Sequence, residues 1–184
     1  MITFLRNAAL ILAFAASQDG VRPLTEAKSV FAIYTEDWGL MSDGGSHLIL
    51  ALWEDGTIVW SEDPARGGPP YRSGRIERSS LPELLTSLER DGRFDDRDLS
   101  QSRAAIDSKF TTILARWKGR ELLLRLGPEM ESAPDGLAPR HQRFLRVWKA
   151  VRTRASRLLP AEGVVVEGEL IAEHGVFTWR QKTP

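Results

Sequence analysis

Arginine and aromatic side chains are concentrated in one glycine- and proline-rich stretch, DPARGGPPYRSGR, which covers residues 63–75. Arg66, Arg72 and Arg75 are able to bind a carboxylate or a phosphate through two parallel hydrogen bonds, and Tyr71 offers an aromatic face. The glycines permit positive φ and the prolines stiffen the backbone. The stretch is either a ligand-binding loop or a structured linker with solvated arginines. We favour the linker for the stretch as a whole and keep the four side chains as the best candidate ligand contacts.

A fifth candidate contact is Trp38, which lies in the segment TEDWGLMSDGGS. The other tryptophans fall at apolar-face positions of predicted strands or of a helix, where core packing explains them. Trp38 instead stands among glycines and acids. This environment suits either a sugar- or peptide-binding platform or a plug over the edge of a sheet.

Other combinations of reactive residues match known chemistries poorly. Asp96, Asp98, Ser100 and Asp107 have the spacing of a calcium loop, but Gln101 stands where that loop needs glycine. The three histidines lie far apart, and no nucleophile elbow, zinc-protease motif or phosphate loop is present. The absence of cysteine excludes disulfides and thiolate zinc sites. We therefore expect no metal and no cofactor, and no motif supports an enzymatic activity.

The first 17 residues predict the destination of the chain. Arg6 precedes an uncharged apolar core, Ala8–Ala16, and small residues follow at cleavage spacing, which is typical of a secretory signal peptide. The core is about half the ~20 residues that a transmembrane helix needs. We expect residues 1–17 to be cleaved and residues 18–184 to form a single α+β domain without a transmembrane segment. That domain is expected to be exported to the periplasm or exterior of a bacterium.

Charge bears on the class of partner. The chain has 25 basic and 25 acidic residues and a net charge of zero. This balance gives no reason to expect nucleic acid or an anionic membrane as the partner.

Period-2 and period-3.6 patterns predict the elements that position these residues. A first strand covers Lys28–Glu36. Hairpins are then predicted at His47–Trp53 with Thr57–Glu62, at Lys109–Trp117 with Glu121–Gly127, and within Val164–Arg180.

Two helices are predicted between the hairpins. Ser80 and Glu83 form a capping box at the start of a helix with Leu81, Leu84, Leu85 and Leu88 on one face. The longer helix, Arg140–Leu159, places arginines on one face. Its other face carries Phe144, Trp148, Val151, Ala155 and Leu158.

This order of elements predicts an α+β fold. We expect an antiparallel sheet built from three hairpins, with the two main helices packed on one face. The run ILALW at Ile49–Trp53 recurs as ILARW at Ile113–Trp117, each time before a turn, a return strand and a helix. A duplicated hairpin–helix unit explains this recurrence, and so does chance.

Three features together resemble a family of uncharacterised bacterial secreted proteins. They are the hairpin WEDGTIVW at Trp53–Trp60, the run GGPPYRSGR at Gly67–Arg75, and the leucine-rich helix with the residues after it, Leu81–Phe94. The resemblance covers roughly residues 48–126. It implies an α+β fold and an exported protein, and it carries over no activity and no catalytic residue.

Three functions remain open from the sequence. The first is a non-catalytic exported domain that binds a partner protein or a cell-envelope ligand. The second, motivated by compartment and abundant carboxylates, is a hydrolase of envelope polymers or peptides. The third is a structural assembly subunit.

Overall fold

The protein is described by a computed structural model that covers residues 28–37, 45–90, 109–127, 139–166, 168–173 and 176–181. Three sequence-based predictions lie outside these residues: the signal peptide at 1–17, the setting of Trp38, and the calcium-type spacing from Asp96 to Asp107.

Nine strands and two helices make up the described part of the chain. The strands are β1 (Phe31–Asp37), β2 (Ser46–Leu52), β3 (Thr57–Ser61), β4 (Tyr71–Arg75), β5 (Lys109–Trp117), β6 (Arg120–Leu126), β7 (Val164–Val166), β8 (Gly168–Glu173) and β9 (Val176–Gln181). The helices are α1 (Ser80–Arg90) and α2 (Pro139–Ser156). Seven strands form one sheet in the order β6-β5-β1-β2-β3-β4-β7, and every neighbouring pair is antiparallel. The predicted α+β class is confirmed.

Local chemistry explains the β2–β3 hairpin. Gly56 adopts a φ of 84°, which glycine reaches without steric cost. The Asp55 carboxylate accepts a hydrogen bond from the amide of Thr57 at 2.9 Å, and the Gly56 amide donates to the carbonyl of Trp53 at 3.0 Å. The Asp-Gly pair therefore closes the turn that its sequence predicts.

The sheet differs from the prediction at its far end. The hairpin predicted within Val164–Arg180 is divided, because its first arm forms two strands, β7 and β8. β8 pairs with β9 in a separate two-stranded sheet, whereas β7 pairs with β4 at the end of the main sheet. The strand β4 occupies the last five residues of the glycine- and proline-rich stretch, where arginine, serine and glycine have little intrinsic strand preference. Its pairing with β3 and β7 is a tertiary effect.

Both helices pack on one face of the main sheet. The predicted leucine stripe of α1 is buried there. Trp148, Val151 and Ala155 of α2 are buried in the same cluster, and Leu158 packs against it. The side chain of Phe144 lies outside the described residues. In the described part of the chain, no helix is long and apolar enough to span a membrane.

The opposite face of the sheet has a second apolar cluster. Ala32 and Tyr34 of β1 point to it, while Phe31 and Ile33 point to the helices, as alternation requires. Phe177 of β9 is fully buried in this second cluster. The β8–β9 hairpin thus contributes to the side of the sheet that the helices leave open.

The second and third residues of the recurring pentapeptide point to different sides of the sheet in its two copies, whereas the first residues, Ile49 and Ile113, both lie in the helix-side cluster. Ala51 lies in the cluster opposite the helices, and Ala115, its counterpart, lies in the helix-side cluster. Leu50 and Leu114 are interchanged in the same way. A duplicated unit is therefore not confirmed.

Candidate functional site

The loop from Glu62 to Pro70 joins β3 to β4, and it contains the arginine that the sequence singled out first. Asp63 organises its first half. One carboxylate oxygen of Asp63 accepts hydrogen bonds from the amides of Ala65 and Arg66, both at 2.9 Å. These bonds hold the pKa of Asp63 below its usual range, with the Arg66 amide the larger cause and the Ala65 amide the next. The side chain of Asp63 therefore builds an Asx-type turn rather than a reactive acid.

Two glycines bring the second half of the loop against β2. The Gly68 amide donates to the carbonyl of Leu48 at 2.9 Å, and the carbonyl of Gly68 accepts a 2.6 Å bond from the hydroxyl of Ser61. A Cβ added at Gly67 would lie 2.7 Å from the carbonyl oxygens of both His47 and Leu48. Glycine is thus required at position 67 by close backbone approach as well as by its φ of 73°.

Two further elements hold the loop from outside. The hydroxyl of Thr35 in β1 donates to the carbonyl of Arg66 at 3.0 Å, and Arg152 of α2 donates to the carbonyl of Pro64 at 2.8 Å. The side chains of Arg66 and the cis-linked Pro69–Pro70 pair are nevertheless exposed. The loop is an exposed surface with a fixed backbone.

The predicted contact residues do not converge on one site. Arg66 is exposed in the loop, whereas Tyr71 is only 8% exposed and belongs to the cluster opposite the helices. Burial raises the pKa of the Tyr71 hydroxyl. Arg72 and Arg75 lie three positions apart in an extended strand, so their side chains leave opposite faces of the sheet. Trp38 is outside the described residues.

The side chain of Arg72 connects β4 to the start of the loop and to the residue before β7. Its Nε donates to the Glu62 carboxylate at 2.6 Å, and its Nη1 donates to the carbonyl of Gly163 at 3.0 Å. The first bond fixes the start of the loop, and the second fixes the residue before β7. Both carry charge on the donor, so they are stronger than bonds between neutral groups.

Sequence reasoning missed a polar cluster across β1, β5 and β6. The Glu36 carboxylate accepts a hydrogen bond from the Thr112 hydroxyl at 3.0 Å and lies 3.4 Å from Nε of Arg125. Its side chain is only 13% exposed. Burial, and next the charge of Glu36, raise the pKa of the neighbouring Tyr34. The available signal was Arg125 itself, a charged residue inside the apolar run LLLRL.

A second charged cluster joins α1 to the β5–β6 turn. The Glu89 carboxylate accepts hydrogen bonds from Nζ of Lys118 at 2.9 Å and from the indole of Trp117 at 3.1 Å. These two bonds, in that order, hold the pKa of Glu89 below its usual range. Both clusters pair acids with donors from neighbouring elements, which is the arrangement of structural ion pairs.

The part of the chain that the structure describes contains no group of three His, Asp or Glu side chains placed to hold a metal ion. No protein-family model, curated protein or solved structure matches the chain. Evidence on function therefore comes from the chemistry of its own residues.

Proposed function

We propose that this protein is an exported, non-catalytic binding domain whose contact surface is the Glu62–Pro70 loop. The observation that supports the proposal is the combination of exposure and order in this loop. Arg66 and the Pro69–Pro70 pair face solvent, while hydrogen bonds from β1, β2 and α2 hold the backbone beneath them. Rigid scaffolds that present exposed loops are a common way to build binding sites.

The physical advantage of such a loop is preorganisation. A partner that binds a flexible loop must offset the entropy of ordering its backbone, about 1–2 kcal/mol for each residue that becomes fixed. Here the backbone is ordered before binding. Arg66 supplies a planar guanidinium that fits a carboxylate or phosphate, and the two prolines supply a stiff apolar surface. This chemistry suits a partner protein or an anionic cell-envelope ligand, with Trp38 as a further sequence-based candidate contact.

An assembly subunit is the second candidate, and one observation favours it. Among the described residues, β7 is the last strand of the main sheet and no further strand pairs with it, and its Val164 and Val165 are 59% and 55% exposed. An unpaired strand edge with apolar side chains is a template for pairing with another chain. Sedimentation of the wild type and of V164K/V165K distinguishes the two functions. An oligomer that the double variant converts to a monomer favours assembly, whereas a monomeric wild type rules out self-assembly.

The direct test places a photo-reactive amino acid at position 66 and, as a control, at position 78. Both native residues, Arg66 and Arg78, are exposed. In the producing cell we expect a discrete cross-linked product from position 66 and none from position 78. Equal products from the two positions, or none from position 66, contradict the loop as the contact surface. The N-terminal sequence of the protein recovered outside the cytoplasm tests export separately.

A further inference from the structure

Helix α2 concentrates positive charge in a chain whose net charge is zero. Its 18 residues include six Lys and Arg side chains and no Asp or Glu, so the rest of the chain has a net charge of −6. Total charge hides this asymmetry. A basic amphipathic helix in an otherwise acidic chain is a recognised signature of binding to anionic surfaces.

Four of the six cations of α2 have described side chains, and these four, together with Arg157 just after the end of the helix, divide into two groups. Arg152 and Arg154 are used internally, since they donate to the Pro64 carbonyl and to the Ser87 hydroxyl. Arg146, Lys149 and Arg157 are exposed, and no hydrogen bond or ion pair within the described ranges involves their side chains. These three cations are free to bind an external anion.

Helical spacing places the three free cations in one row. Arg146 and Lys149 are separated by three residues, and the row continues through the exposed Thr153 to Arg157 in two steps of four. Positions three and four apart share one face of a helix. The backbone amide of Arg157 bonds to the carbonyl of Thr153, so the helical turn extends to the last cation. At 1.5 Å per residue the row is about 16 Å long.

We infer that the Arg146–Lys149–Arg157 row docks on the headgroup layer of an anionic phospholipid membrane. The row lies on the outer face of a helix whose apolar face is buried against the sheet. A convex, linear array of cations contacts several phosphates of a flat surface at once, whereas a pocket for one small anion needs convergent groups. The inference rests on the proposed export for its setting, because the cell envelope is where an exported chain meets phospholipid.

The docking is electrostatic and superficial. The exposed large apolar side chains in the described residues lie on β7 rather than on α2, so the helix itself inserts no apolar side chain. Binding therefore depends on the fraction of anionic lipid and weakens as salt screens the charges.

The test is sedimentation with two kinds of lipid vesicle, one of pure phosphatidylcholine and one with a large fraction of phosphatidylglycerol. The wild type, R146Q/K149Q/R157Q and a control, K28Q/R78Q/K109Q, are purified from the same cell fraction and share the same N-terminus. The control removes the same charge from exposed positions outside α2. We expect the wild type to bind only the anionic vesicles, in a salt-sensitive manner. The helix variant should bind on the order of a hundredfold more weakly, as the loss of three near-surface cations predicts, and the control should bind nearly as the wild type does.

Three outcomes overturn the inference. They are a wild type that does not bind anionic vesicles, a helix variant that binds them unchanged, and a control variant that loses as much affinity as the helix variant. A short DNA duplex serves as the competing polyanion. Helix-dependent binding to the duplex without vesicle binding overturns the membrane assignment and assigns the row to nucleic acid. The vesicle assay is independent of the cross-linking and export tests. A protein whose cation row does not bind membranes is therefore distinguishable from a protein that lacks the proposed function.

Discussion

The ring of Phe177 stands edge-on to the ring of Tyr34, with the ring centres 5.1 Å apart and the planes inclined by 66°. This is the arrangement that aromatic pairs prefer. The backbone of Phe177 also bonds to Ser29, which lies two residues before β1. Its amide donates to the Ser29 hydroxyl at 3.1 Å, and its carbonyl accepts a hydrogen bond from the Ser29 amide. Phe177 therefore joins the β8–β9 hairpin to Tyr34 of β1, an interior strand of the main sheet, and to Ser29 just before that strand.

Replacing Phe177 by Ala should destabilise the protein strongly. The ring is fully buried, and removing a buried phenylalanine ring typically costs about 3–5 kcal/mol through lost transfer energy and an unfilled cavity. Urea unfolding measures the change. The control is Val164→Ala, which removes apolar atoms from an exposed position and should change stability by less than about 0.5 kcal/mol. Similar effects of the two changes would mean that the hairpin does not pack as described.

Gly67→Ala should destabilise more than Gly119→Ala, although both glycines have nearly the same φ, 73° and 74°. At Gly119 a Cβ meets no atom within 4 Å, so only the left-handed backbone is penalised, by about 1–2 kcal/mol. At Gly67 the Cβ also meets two carbonyl oxygens at 2.7 Å, and overpacking adds about 1–3 kcal/mol. Thermal unfolding of both variants separates the two contributions. Equal losses would contradict the close approach of the loop to β2.

Asp63 should make stability depend on acid pH. Its pKa is lower in the folded chain than the value of about 3.9 expected in the unfolded chain. The ionised carboxylate therefore stabilises the fold above about pH 4, and this stabilisation is lost as the pH falls through the folded pKa. Asp63→Asn keeps an oxygen acceptor for the Ala65 and Arg66 amides but does not titrate. Urea midpoints between pH 2 and pH 6 should rise less steeply for Asp63→Asn than for the wild type. Parallel profiles would exclude this role of Asp63.

The Glu36–Arg125 pair should behave as one unit. Glu36→Gln keeps an acceptor for the Thr112 hydroxyl but removes the negative charge beside the guanidinium, and we expect a loss of about 1–3 kcal/mol. Replacing both residues, as in E36Q/R125M, should cost less than the sum of the single changes. A double-mutant cycle in urea measures this coupling, which is about 0.5–3 kcal/mol for contacting residues. Additive losses would show that the 3.4 Å contact adds nothing to stability.

The sequence alone was sufficient where structure depends on neighbouring residues. Helix α1 covers Ser80–Arg90, and its four predicted leucines are buried on one face. The Glu83 amide donates to the carbonyl of Ser79 at 3.0 Å, so Ser80 is the first helical residue rather than the predicted N-cap, a difference of one position. The β2–β3 turn closes at Asp55 and Gly56 for equally local reasons. Capping, turn geometry and hydrophobic periodicity are set within about four residues, and a sequence displays them directly.

Tertiary structure decided the pairing of distant strands. β1, the first strand of the described chain, lies between β5 and β2, and the β8–β9 hairpin lies outside the main sheet. A backbone ladder forms between any two extended segments, so hydrogen bonding does not identify its own partner. Burial of both faces of the sheet selects the partner and the register, and this selection involves the whole chain at once.

Sequence and tertiary structure likewise determined different parts of the candidate site. The composition of residues 63–75 was enough to identify an unusual loop, and the arginine face of α2 was visible in the sequence. Only the folded chain shows that Tyr71 is buried, that Arg72 binds Glu62, and that Arg146, Lys149 and Arg157 remain exposed. Residue type determines which contacts a side chain is able to make. Packing between segments far apart in the chain determines which neighbours make those contacts and which side chains stay exposed to solvent.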